Sequence, residues 1–329
     1  MAIRIDGYFD RNFGDDYMIK TVAEHFKDED FVISPSDGIS DMLQNVPNIR
    51  ISNEECERVI RITGSGFMIN SQKAFITEAI WLLKGKKEAD WCIGCNIEPF
   101  KNVLCELVIK KKLKKYSFIT CRDKKSYEWF LKKCKDVRVE FFPDILFSAP
   151  VKRAEGGTAL GISVMNLGFD GTYEVYYSSL AAAADYYMDQ KKGEVILFAF
   201  DTGCEDDTAA CNYVRSLMKN KDVKIVAHNR DGEIVQAFDR CGKIIGTRFH
   251  SIVLALKMGI DVYPVIFREK AKNLLDDVNY PIEGRRVEIL KEDELKEFIN
   301  AEPLGFSIDG EYEKRAEGHV KMLEMLLKN

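Results

Sequence analysis

The sequence predicts two consecutive doubly wound α/β domains, Rossmann-like in build, facing each other across a cleft. Three observations predict this class. Short apolar runs alternate with longer amphipathic ones, the pattern of βα units on parallel sheets. A stretch rich in turn formers and charge, Ser-Ala-Pro-Val-Lys-Arg-Ala-Glu-Gly-Gly at 148–157, interrupts that rhythm midway. The 329 residues exceed one ordinary core and suit two domains of roughly 150 residues each. The expected domains are 1–150 and 151–329, the second carrying the terminal helices.

The elements follow in order. Residues 2–9 read as a first strand. Met18, Val22 and Phe26 then recur at helical spacing. Val59 to Thr63 reads as a strand that ends at Gly64-Ser65-Gly66, followed by a helix over 71–84. Strand 90–94, helix 101–113, strand 117–121, helix 123–133 and strand 137–142 close the first half. In the second half, strands are expected at 158–164, 194–200, 223–227, 243–246 and 262–266. Helices are expected at 173–191, 206–218, 231–238, 249–258 and 268–277. Two helical stretches remain, 292–300 and 310–328.

Composition narrows the function classes. Hydrophobic residues make up 46% and charged residues 31%, enough apolar material for two cores. A net charge of −5 argues against general nucleic-acid binding, which shows a basic excess. The opening residues show no signal-peptide pattern, and no apolar run approaches the ~20 residues that span a bilayer. A reduced, cytoplasmic setting follows, with the nine cysteines serving mainly as small buried hydrophobes. Cys92 and Cys95 form a CxxC inside a strand-like segment, without the helix start or second pair that redox or zinc chemistry needs. No cluster with metal-ligand spacing is seen.

Ligands of such sheets bind past the carboxyl ends of strands, so five loops hold the candidate chemistry. In Asn12-Phe13-Gly14-Asp15-Asp16, Gly14 permits a tight turn or close backbone approach. One of Asp15 and Asp16 is expected to cap the following helix. The other faces the cleft and holds or deprotonates a hydroxyl. Gly64, Ser65 and Gly66 either expose backbone N–H groups to an anion or allow a close strand–helix crossing. No GxGxxG or Walker pattern accompanies them, so a dinucleotide or ATP site is not supported.

Arg122 stands at a strand end, with Asp123 as a helix N-cap beside it. Its planar fork suits a carboxylate or phosphate, though a neighbouring acid would satisfy it equally well. Gly246-Thr247-Arg248-Phe249-His250 is the most informative loop. It places Arg248 and His250 at the start of an apolar, hence buried, helix. That is a donor-rich pocket with a residue able to act as general acid. Phe267-Arg268-Glu269-Lys270-Ala271-Lys272 puts cations on the adjacent loop, some of them on a solvated face. The run Lys110-Lys111-Lys112-Leu113-Lys114-Lys115 offsets a helix C-terminus. With a lipid-linked acceptor it would also meet an anionic membrane surface.

Taken in order, Asn12-Phe13-Gly14-Asp15-Asp16, Gly64-Ser65-Gly66, Ile93-Gly94 with Pro99, Arg122-Asp123-x-x-Ser126, Pro143-Asp144, Arg248-Phe249-His250 and Lys270 resemble the polysaccharide pyruvyltransferase family. The likeness runs from about residue 10 to 280. It departs in a less glycine-rich second loop. It departs again at Phe267-Arg268-Glu269-Lys270, where the family often has Tyr-Asp-Pro-Lys.

The resemblance implies a glycosyltransferase-B-like architecture, with the first domain on the acceptor side and the second on the donor side. It implies transfer of a pyruvyl group from phosphoenolpyruvate to a sugar of a cell-surface polysaccharide or its precursor, as a ketal. Phosphoenolpyruvate is then the donor substrate and no cofactor is called for. The acceptor is a free or lipid-linked saccharide, and peripheral contact with the inner face of the membrane is compatible with it.

Arg122, His250 and Lys270 then fall at donor-binding or catalytic positions, with Arg248 adding charge. His250 acts as general acid or donor to the departing phosphate. Asp15 or Asp16 orients or deprotonates the acceptor hydroxyl. Two rivals share the architecture: a nucleotide-sugar glycosyltransferase, distinguished by release of a nucleoside diphosphate, and a non-catalytic anion- or sugar-binding protein, distinguished by binding without product.

Overall fold

The computed structural model describes residues 2–63, 67, 69, 71–83 and 89–328. Gly64, Ser65 and Gly66 lie outside the described residues.

The first half interleaves β1 (Ile3–Asp6), α1 (Phe13–His25), β2 (Phe31–Ile33), α2 (Asp41–Gln44), β3 (Ile49–Ile51), β4 (Arg58–Ile62), α3 (Gln72–Leu83), β5 (Trp91–Cys95), α4 (Val103–Leu113), β6 (Phe118–Cys121), α5 (Lys124–Lys133) and β7 (Val139–Phe141). Its strands form a parallel sheet in the order β3-β2-β1-β4-β5-β6-β7.

The second half interleaves β8 (Ala159–Val164), α6 (Glu174–Lys191), β9 (Val195–Ala199), α7 (Asp207–Leu217), β10 (Lys224–Ala227), α8 (Glu233–Asp239), β11 (Cys241–Gly246), α9 (Phe249–Met258), β12 (Asp261–Ile266), α10 (Glu269–Asp277), β13 (Arg285–Arg286) and α11 (Glu292–Asn300). Its parallel sheet runs β10-β9-β8-β11-β12-β13. Parallel strands need crossover helices, which cover both faces. That is why β8 and β9 are buried at every residue and read as mostly apolar runs.

Both sheets reverse strand order beside their first strand, between β1 and β4 and between β8 and β11. These switch points face each other across the interface. Phe13 N–H donates to Phe200 O at 2.8 Å, and Asn12 pairs with Asp201 in an isolated bridge. Phe13, Tyr17 and Met42 share a core with Phe200, Phe249 and Ile252, so one apolar cluster spans both halves.

The tail returns to the first sheet. The stretch expected as one helix over 310–328 is two, α12 (Gly310–Ala316) and α13 (Gly318–Leu327). Val320 and Leu323 join the core of β1, β4 and β5, and Arg58 Nη1 donates to Leu327 O at 2.8 Å. Residue 318 must be small: a Cβ there would lie 2.2 Å from Phe142 Cδ1. The adjoining His319 is fully buried, with Nδ1 2.7 Å from Thr120 Oγ1 and Nε2 2.8 Å from Pro143 O. This histidine braces the tail. Cys92 and Cys95 are buried free thiols of β5, and burial pushes the Cys95 thiol well above its ordinary range.

Candidate active site

Each wall of the interface cavity is built from loops that follow strand ends. The cavity holds about 240 Å³. After β1 come Tyr8, Asn12 and Asp15; after β5, Glu98; after β8, Met165. Phe200, Asp201 and Glu205 follow β9, Thr247 to His250 follow β11, and Phe267, Arg268, Lys270 and Ala271 follow β12. The cavity therefore sits where the topology of both sheets places a ligand.

His250 is placed by two close approaches. It occupies the first turn of α9, whose ten residues are all buried. From the other half, Gly14 packs directly on its ring: a Cβ at residue 14 would fall 1.6 Å from His250 Nδ1. Gly14 is thus a packing residue beneath the imidazole rather than part of the cavity wall. The predicted capping by an aspartate is corrected as well. Asn12 caps α1, its Oδ1 accepting from Gly14 N at 3.0 Å and Asp15 N at 3.4 Å. Asp15 is thereby left on the wall.

Behind His250 lies a buried polar network. Arg122 Nη1 donates to Asp144 Oδ2 at 2.9 Å and lies 3.4 Å from His250 Nε2, while Nη2 donates to Asn96 Oδ1 at 2.8 Å. His250 Nε2 is 3.7 Å from Asp144 Oδ2. Arg122 also stacks on Phe249, with Cζ 4.4 Å from the ring centroid. So Arg122, predicted to bind substrate, stands one layer behind the cavity and supports two residues that line it. Burial pushes the Asp144 carboxyl up. The hydrogen bond and charge of His250, the Arg122 charge and the Leu146 N–H outweigh it and hold Asp144 well below the usual carboxylate range.

Charge falls into a pattern across the cavity. Lys270 Nζ sits 5.2 Å from the Phe249 ring centroid, on the face of a residue that Arg122 also touches. Burial first, then the Arg122 charge, push its pKa down to about 8 against the pull of Glu98 and Asp15. His250 is lowered for the same first reason, with Arg122 and Lys270 adding to the effect and Asp144 opposing it. An anionic ligand would reverse both shifts. Arg268 lines the wall, whereas Lys272 pairs with Asp276 at 3.3 Å on α10.

Arg248 also lines the cavity, but its guanidinium is already gripped. Nε and Nη2 donate to the two oxygens of buried Asp207, at 2.8 and 2.6 Å, and Nη1 reaches Glu205. It thereby braces α7 against α9 while still lining the cavity.

The two predicted aspartates separate. Consecutive helical positions point about 100° apart. Asp15 faces the cavity, while Asp16 turns to the second half, where its Oδ2 meets His228 Nε2 at 2.8 Å with both side chains fully buried. Asp16 is therefore an interdomain tie, not a wall residue. The wall acids not foreseen are Glu98, Asp201 and Glu205. Asp201 accepts from Asn12 Nδ2 at 3.0 Å and from Gly203 N at 3.1 Å. Burial raises its pKa to about 6; Asn12 and Arg248 oppose the rise, and Asp207 and Glu205 add to it.

Sequence comparison gives this constellation a family. A model of the polysaccharide pyruvyl transferase family matches residues 12–266, which span every loop of the cavity except those around Tyr8 and Phe267 to Ala271. The chain belongs to this family.

Membership of the polysaccharide pyruvyl transferases makes the chain one of a family of transferases. No curated protein matches its sequence. Solved structures match along its whole length. One is the UDP-GlcNAc 2-epimerase of Neisseria meningitidis bound to UDP-GlcNAc, at TM-score 0.64 and 10% identity, covering 100% of both chains. A second is the UDP-GlcNAc 2-epimerase of Methanocaldococcus jannaschii in complex with UDP-GlcNAc and UDP, at TM-score 0.61 and 10% identity, again covering 100% of both. Anabaena Alr3699/HepE in complex with UDP-glucose matches at TM-score 0.59 and 11% identity, covering 99% of each. At such identity these likenesses show the fold: this polysaccharide pyruvyl transferase has the glycosyltransferase-B-like architecture expected of it.

Proposed function

We propose that this chain transfers a pyruvyl group from phosphoenolpyruvate to two hydroxyls of a saccharide, forming a ketal. The observation that carries the reading is the division of the cavity. His250, Arg268 and Lys270 follow β11 and β12, whereas the carboxylates come from the first half, as Asp15 and Glu98, and from the loop after β9, as Asp201 and Glu205. Cations on one side suit a small dianion, and carboxylates on the other suit sugar hydroxyls. A volume of about 240 Å³ is below the ~300–1,000 Å³ common for drug-sized ligands, which favours a three-carbon donor over a nucleotide sugar.

The chemistry has a proton ledger. Two hydroxyls attack the central carbon in turn, and the bond from that carbon to the phosphate oxygen breaks. Of the two protons the hydroxyls lose, one ends on the methylene carbon, which becomes methyl, and one on the departing phosphate. Lys270 and Arg268 hold the donor. His250, raised in pKa by the bound dianion, donates to the leaving phosphate. Two hydroxyls require two proton acceptors, and the wall offers Asp15 and Asp201 for them. The loops after β11 and β12 take the donor, and the carboxylates of the first half and of the β9 loop take the acceptor.

The test is incubation with phosphoenolpyruvate and a panel of galactose-, mannose- and glucosamine-containing acceptors, read by mass spectrometry. The expected result is a pyruvyl increment on one acceptor with release of phosphate, abolished in His250→Ala. A glycosyl increment from a UDP-sugar, with release of a nucleoside diphosphate, would replace this reading. A full yield from His250→Ala would remove His250 from the mechanism.

A further inference from the structure

We infer that the outer face of α3, α4 and α5 docks the protein on an anionic lipid bilayer. Three features meet on that face. The first is position. Right-handed crossovers between successive neighbours β4, β5, β6 and β7 put all three helices on one side of the sheet. Buried Lys112 of α4 binds Glu78 of α3 at 3.0 Å, and Lys133 of α5 lies 3.4 Å from Glu106 of α4, so the three helices form one continuous layer.

The second feature is apolar exposure. Val103 is 69% exposed and Leu104 62%, on the first turn of α4. Leu107 is exposed one turn on, Ile76 and Ile80 are exposed on α3, and Leu131 on α5. Single exposed apolar residues are ordinary; six on one helical layer mark a surface that meets another phase.

The third is charge. Residues 101–135 carry twelve lysines and arginines against three acids, in a chain whose net charge is −5, and all but Lys112 and Arg122 reach the surface. The exposed lysines include Lys111 and Lys114 at the end of α4 and Lys124, Lys132 and Lys133 on α5. Apolar side chains within a basic rim fit the interface of an anionic bilayer, where the first enter the headgroup boundary and the second meet the negative surface. Among the described residues no helix is long and apolar enough to cross a membrane, so this contact is peripheral.

The N-terminal end of α4 is the part of this face nearest the cavity in sequence, five residues after Glu98 on the cavity wall. A bilayer there would present a lipid-linked saccharide to the wall of Asp15 and Glu98. That consequence alone rests on the pyruvyltransferase reading; lipid binding does not.

The experiment is flotation of the full chain with phosphatidylcholine vesicles, with and without phosphatidylglycerol. Binding is expected only with phosphatidylglycerol and is expected to fall as salt rises. Lys111→Gln and Lys132→Gln should each weaken it about fivefold. The pair Leu104→Gln and Leu107→Gln should weaken it about tenfold or more, with an unchanged circular dichroism spectrum. The salt dependence of the unaltered protein serves as the check should a variant misfold. Equal binding to neutral vesicles, or none to either, would overturn the proposal. So would a dimer in sedimentation velocity that Leu104→Gln dissolves, since the face would then belong to a second copy.

Discussion

His250 of the second half rests on the backbone of Gly14 of the first, so closely that a methyl group at residue 14 would fall 1.6 Å from its Nδ1. The imidazole at the cavity wall is thus positioned by a residue from the opposite domain.

Gly14→Ala should push the ring from its seat. Overpacking of this kind costs about 1–3 kcal/mol of stability, and displacement of a reacting group by about 1 Å costs about a hundredfold in rate. The expected outcome is a folded protein with a modestly lower Tm and kcat reduced about a hundredfold. An unchanged kcat would mean that His250 does not act from this position.

Lys270, with its pKa pushed down to about 8, should impose an alkaline limit on donor binding. Its charge is lost as pH rises through that value, so KM for phosphoenolpyruvate should climb above about pH 8. Lys270→Arg keeps its charge at every accessible pH. A pH profile of KM should therefore lose that upturn in the variant.

Asp201 should set the acid limit. Its pKa is raised to about 6, so the carboxylate is lost as pH falls through 6 and a base at this position stops accepting protons. Asp201→Asn is expected to lower kcat by about a hundredfold to ten-thousandfold and to abolish the acid limb. Donor binding measured by calorimetry should stay unchanged.

Asp144 has a structural part that also depends on pH. Its folded-state pKa lies below its unfolded value. The stabilisation is therefore complete above about pH 4 and is lost as pH falls from there towards the folded value. Asp144→Asn leaves the Arg122 charge buried without its anion, at a cost of about 3–5 kcal/mol. Urea unfolding should show that gap at neutral pH and a smaller one in acid.

Much of the fold was legible because it is built on periods. Long helices such as α6 and α9 announce themselves by spacing and burial, and β9 by an unbroken apolar run. The three-residue strands β2 and β3, the single turn α2 and the two-residue β13 are too short to show a period, and went unseen. The split between α12 and α13 falls at Gly318, which packs on Phe142, distant in sequence.

The site was half legible. Looking past strand ends led to Asp15, Arg248, His250 and Lys270, all on the wall. The rest depends on contacts between segments distant in sequence, which no local pattern encodes. The position of His228 tells Asp16 from Asp15, and Asp207 and Glu205 occupy Arg248. Asp201 had a signal, an acid straight after the apolar run of β9 and before Gly203. Only Asn12, from the other half, makes it a wall residue rather than a turn former.

The central claim is that the second half's cations hold a small dianion between the domains. Calorimetric titration of phosphoenolpyruvate into the unaltered protein and into Lys270→Ala tests it most directly. The account predicts one site per chain, with affinity lost in the variant, and no uptake of a UDP-sugar at the same site. A UDP-sugar that binds there while phosphoenolpyruvate does not would contradict it.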